Sequence, residues 1–174
     1  MQYLAVGCRA AIAVIFLLAA GGKLVGPGAF SQFRQSVIDM RAVPAVLVTT
    51  AARATVAAEL LAAVLVLIPT RSTGVAGCAL GLVLTALFTN AIVASIRSGR
   101  RTACRCFGRT STPLGTRHLI RNGVLLAVTA LGLATCTSGA SVALAGALVG
   151  VVAGLFLGLI VASFDELADL LRPA

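Results

Sequence analysis

At 174 residues with a net charge of +9, the chain is 59% hydrophobic and 11% charged, against roughly 25% charged residues in soluble domains, and its mean hydropathy is +1.06. A soluble core of this size cannot absorb so much apolar surface, and residues 74–96 and 122–164 carry no formal charge, where about 20 apolar residues suffice for one span; the reading is an all-α integral membrane bundle. Nucleic acid is excluded as a partner because seven of the fourteen basic residues are arginines between Arg97 and Arg121, flanking spans and without stacking aromatics, as a loop against the bilayer headgroups would be.

In chain order, the first span runs from about Tyr3 to Gly22 and ends at "GGK", where Lys23 is expected to snorkel to the interface. Arg9 inside it and the missing basic n-region argue for a retained helix rather than a signal peptide. After Pro27 and Gly28, Phe30, Phe33, Val37, Ile38 and Met40 share one side of a helical wheel, which suggests a short helix lying on the membrane. Pro44 opens the second span, about Ala45 to Ile68, and "PTRSTG" turns the chain into the third, about Gly74 to Ile96. A basic loop, Arg97 to Arg117, leads to the fourth span, about His118 to Cys136. Residues 1–136 thus form a four-helix unit. Residues 137–174 add a fifth span, about Val142 to Phe164, and a tail with Asp165, Glu166 and Asp169.

With the N-terminus outside, the inner side receives Lys23, Arg34, Arg41, the seven arginines from Arg97 to Arg121 and Arg172, and the outer side only Arg71. That bias sets the loop in the cytoplasm of a multi-pass cell-membrane protein. Gly146, Gly150, Gly154 and Gly158 recur every four residues down one face. Such a face suits close packing inside the bundle or, alternatively, a homo-oligomer.

The loop holds Cys104 and Cys106 with one residue between them. Two thiols so close can form a readily reduced disulfide. Arg101, Arg105 and Arg109 favour the reactive thiolate, and no acidic residue in the loop cancels their field. A metal site would need more ligands than the pair offers, although two thiolates can hold a linear Cu(I). Cys8, Cys78 and Cys136 fall near the outer ends of their spans. Each taken alone reads as a small apolar filler. Taken together, Cys78 and Cys136 are candidates for an outer relay pair, with Cys8 as a third.

Charges inside spans are costly and usually paired. Arg9 and Glu59 lie about six and nine residues from the outer ends of their helices, depths that differ by only ~4–5 Å, and an Arg9–Glu59 ion pair is expected. Asn90, near Thr85 and Thr89, is expected to hydrogen-bond between helices. No Ser-His-Asp set, phosphate loop or haem-type histidine pair is present.

"CRCFG" in the loop, with "RHLIRN" entering the fourth span, resembles the methylamine utilisation protein MauE family, which is related to DoxX-like four-helix membrane proteins. "GGKL", "AFSQFRQSVIDMRAVP" and Glu59-Leu60-Leu61 fit as well, and the resemblance covers roughly residues 4–135. It implies an association with methylamine metabolism and a thiol–disulfide or electron-transfer role in maturing an exported protein, beside a thioredoxin-like partner. Cys104 and Cys106 become the redox pair of an oxidoreductase component. Arg105 stands where the family usually has glycine, and the fifth span lies beyond the four-helix unit. A membrane quinone is a candidate to continue the electron path. The competing reading is a non-catalytic scaffold for a redox complex; a transporter has little support.

Overall fold

The computed structural model describes residues 2–99, 115–136 and 144–164. Its elements are helices α1 (Gln2–Leu24), α2 (Ala29–Met40), α3 (Val48–Leu67), α4 (Arg71–Arg97), α5 (Thr116–Cys136) and α6 (Leu144–Ala162), with a single 3-10 turn, Ala45–Leu47, leading into α3. Among the described residues five helices are long and apolar enough to cross a membrane, and the protein is a multi-pass, all-α membrane bundle.

The helix boundaries follow from local chemistry. Gly26 and Gly28 adopt positive φ on either side of Pro27, a break that side chains would resist. Thr70 caps α4 by accepting the Thr73 N–H at 3.3 Å, which offsets one of the N–H groups a helix start leaves unpaired. α4 consequently begins three residues before the charge-free run does.

Helices α1, α3, α4 and α5 close a four-membered ring in which neighbours touch in sequence order and α5 returns to α1. Neighbours in the ring are antiparallel: the start of α1 meets the end of α3 through Arg9 and Val66, and Gly74 at the start of α4 faces Cys136 at the end of α5. The core between them is small and aliphatic, with Ala11, Ile12, Ile15, Phe16, Ala62, Ala63 and Val66 buried. The outer surface is reversed, as hydrocarbon requires: Leu61, Val64, Leu87 and Phe156 are all exposed.

α6 lies outside the ring along α1, with which it has its most extensive packing. Its glycine stripe faces Tyr3, Gly7, Ala10, Ala11 and Val14 in rising order, so the two helices run parallel. A β-carbon at Gly150 would sit 2.9 Å from the Tyr3 carbonyl oxygen, and one at Gly154 would overlap the Gly7 carbonyl oxygen. The face considered for a homo-oligomer is therefore occupied inside the chain.

α2 also departs from expectation. Phe33, Val37 and Met40 are buried together with Ser36, and they pack on Ala20, Val48, Ala52 and Val56 of α1 and α3. The apolar side of α2 closes one end of the bundle and is not laid on lipid; Ile38, assigned to the same side, is exposed. Burial of that face against protein gains both apolar area and a partner for the polar groups beneath it.

Replacing Gly154 by leucine is expected to part α6 from α1 at a cost of about 1–3 kcal/mol, whereas Leu148→Ala on the lipid-facing side, 59% exposed, changes little. Thermal unfolding of the two variants in detergent checks this. Equal melting temperatures would mean that the stripe is not a packing face.

Candidate functional site

Polar side chains gather at both ends of the bundle. At the α2 end, Lys23 is fully buried and Glu59 is 2% exposed. The Lys23 ammonium donates to both Glu59 carboxylate oxygens at 2.7 and 3.0 Å and to the Ala19 carbonyl at 3.1 Å. The rings of Phe33 and Phe88 flank it, their centroids 5.0 and 5.9 Å from Nζ, within cation–π range. The sequence reading paired Glu59 with Arg9 and sent Lys23 to the interface; both assignments are corrected. Helical side chains lean toward the N-terminus of their own helix. Lys23, at the C-terminal end of α1, is thus aimed back into the bundle and reaches Glu59.

The same lean carries Arg9, near the start of α1, away from the membrane centre. Its Nε donates to the Val66 carbonyl at 2.8 Å and its other nitrogens to the Thr70 and Ile68 carbonyls. The Val66 carbonyl lies in the last turn of α3, while the Ile68 and Thr70 carbonyls of the turn also accept the Thr70 and Gly74 N–H groups; a cation there also meets the negative end of the helix dipole. Arg9 is a cap on α3, not an ion-pair partner.

Around Arg9 the thiols collect. Cys8, Cys78 and Cys136 are buried and free. A β-carbon at Gly132 would lie 3.2 Å from the Cys78 sulfur and 3.3 Å from the Cys8 β-carbon; one at Gly74 would lie 3.3 Å from the Cys136 sulfur and 2.9 Å from an Arg9 guanidinium nitrogen. Each sulfur on α4 or α5 thus sits over a glycine of the other helix, one turn apart, and the Cys78 and Cys136 thiols are adjacent. Arg9, Thr70, Arg71, Thr135 and Cys136 also line the polar end of a cleft of about 590 Å³ between α1 and its neighbours. Among the described residues no three His, Cys, Asp or Glu side chains are grouped as a metal site would need.

Asn90 is exposed, and its amide donates to the Ala86 carbonyl of its own helix at 3.0 Å. A polar link between α4 and α5 runs instead from Asn122 to Thr89 at 3.4 Å. On α5, His118, Arg121 and Asn122 are all buried. They lie near the end where α4 and α5 bracket the basic loop. Arg101, Cys104, Arg105, Cys106 and Arg109 fall outside the described residues, as do the acidic residues of the tail. Lys23 is the site residue that sequence reasoning missed. Its signal was a lone cation closing a span one residue after two glycines, opposite the lone carboxylate of the next span.

Residues 1–135 match the model of the family described as Methylamine utilisation protein MauE. No curated protein and no solved structure matches the chain.

Breaking a buried pair by removing one partner strands the other, at about 3–5 kcal/mol. Lys23→Met and Glu59→Leu are each expected to destabilise the bundle by that order, and the double variant to regain most of the loss. A double-mutant cycle on unfolding in detergent measures it, and additive losses would mean that the two residues do not act as a unit.

Proposed function

The chain belongs to the Methylamine utilisation protein MauE family, and we propose that it is a membrane thiol–disulfide protein that supports disulfide formation or redox maturation of a partner. In this reading Cys104 and Cys106 form the dithiol that meets a thioredoxin-like protein on the cytoplasmic side, with Arg101, Arg105 and Arg109 holding the thiols in their reactive form. The observation that carries it is the convergence of Cys8, Cys78 and Cys136, from three helices far apart in sequence, beside one arginine. Three unrelated small fillers have no reason to meet. A thiol centre at the bundle end shared by the start of α1, the end of α3, the start of α4 and the end of α5 gives such a protein a second redox station, apart from the loop pair.

The basic loop separates this reading from a scaffold. A redox protein exchanges disulfides, so its thiols are oxidisable and one of them can be trapped on a partner. A scaffold needs only the arginines.

An impermeant maleimide is expected to label Cys104 and Cys106 only in inverted vesicles and only after reduction. A single Cys106→Ser or Cys104→Ser variant is expected to accumulate a mixed disulfide with a thioredoxin-like protein. Labelling without reduction, and no trapped partner, would leave two inert thiols and favour the scaffold. Labelling in intact cells would invert the sidedness.

A further inference from the structure

The 590 Å³ cleft beside Arg9 is used neither by the helix packing nor by the loop pair. Its polar end, described above, includes Cys136. The remainder is apolar, with Val14, Leu17, Val151 and Leu155 along it. Leu17 and Leu155 are 44% and 41% exposed on surface that lipid covers. A cleft with such walls admits, by diffusion within the bilayer, a molecule with a hydrocarbon tail and an oxygen-bearing head.

Arg9 spends three of its five N–H groups on the Val66, Ile68 and Thr70 carbonyls. Two donors remain at the polar end of the cleft. Cys136 lines that end with Cys78 buried beside it, and a dithiol that gives up its electrons inside a membrane needs an acceptor of two electrons and two protons that dissolves in hydrocarbon.

From this juxtaposition we propose that the cleft binds the ring of an isoprenoid quinone and that Cys136 and Cys78 are the dithiol that reduces it. The Cys136 sulfur adds to the quinone ring. The Cys78 sulfur then attacks the Cys136 sulfur, the Cys78–Cys136 bond forms, and the ring leaves as the quinol with both electrons and both thiol protons. Cys136, on the cleft wall, is the residue that touches the ring, and Cys78, fully buried behind it, resolves the adduct. Arg9 supplies hydrogen bonds to the ring oxygen that gathers charge. The proposal rests on the thiol–disulfide reading for its source of electrons, while the quinone step itself does not involve the loop pair.

The chain has no tryptophan, so a single introduced indole reports its own surroundings. Leu17→Trp places it in the cleft, and Leu87→Trp, on α4 and 63% exposed, places it on lipid away from the cleft. The full chain in neutral phospholipid nanodiscs is titrated with a benzoquinone bearing one isoprene unit. Saturable quenching is expected in the Leu17→Trp protein and only linear quenching in the Leu87→Trp protein. In a Cys104→Ser/Cys106→Ser background, the anaerobically reduced chain is expected to convert about one quinone per chain to quinol and to yield a Cys78–Cys136 crosslinked peptide. Cys136→Ser is expected to slow this more than about tenfold.

Equal linear quenching at both positions overturns the binding site. Displacement of the quinone by an anionic phospholipid makes the cleft a lipid site and also overturns it. Saturable quenching without quinol overturns the redox step, as does quinol formation that disappears with Cys104 and Cys106. A failed maleimide or trapping result alongside intact quinol formation refutes only the role given to the loop pair.

Discussion

Hydrocarbon offers no hydrogen bonds, so the two cations that α1 carries into the membrane must find partners within the bundle. Arg9 finds the carbonyl end of α3 and Lys23 finds Glu59 of the same helix. α1 and α3 are thereby pinned to each other at two heights, and their register is set by charge rather than by interchangeable alanines. α4 and α5 then complete the ring, α2 covers the Lys23 end with Phe33 over the ammonium, and α6 seats its glycines on the far side of α1. Because α1 touches every other spanning helix, a loss at either cation would propagate through the whole bundle.

The same constraint separates two chemistries. The Lys23–Glu59 end is closed, aromatic and paired, and it suits stability. The Arg9 end is only partly closed, has a cleft beside it and collects thiols. Helix α4 alone runs ~28 Å from Cys78 to Arg97, so Cys78 lies far from the end of α4 that the basic loop follows in sequence. In the proposed function, the loop dithiol exchanges electrons with a soluble protein and the thiol centre with a lipid-soluble acceptor.

Small residues make the thiol centre possible. Gly74 and Gly132 let α4 and α5 approach until each receives a sulfur from the other helix, and side chains at either glycine would push the thiols apart. The glycine stripe on α6 does comparable work against α1 without any chemistry. The two patterns look alike in sequence, and only the residues opposite them distinguish a packing face from a site.

Much was legible in the residues alone. Long apolar runs located the spans to within a few residues because hydrocarbon thickness fixes their length, and "CRCFG" with "RHLIRN" pointed to the MauE family. Depth counting brought Arg9 and Glu59 to similar levels but ignored the direction in which a helical side chain leans. That direction turns Arg9 outward to a helix end and Lys23 inward to the carboxylate, and it is not visible in a list of positions. Whether the apolar side of α2 meets lipid or protein, and whether the glycines of α6 meet another copy or α1, were equally undecided by periodicity, which records that a face is apolar or small but not what covers it. The sequence by itself determined that this chain lives in a membrane and where it crosses. Only the tertiary structure decided which charges pair and which thiols meet, since those depend on helices that are neighbours in space and not along the chain.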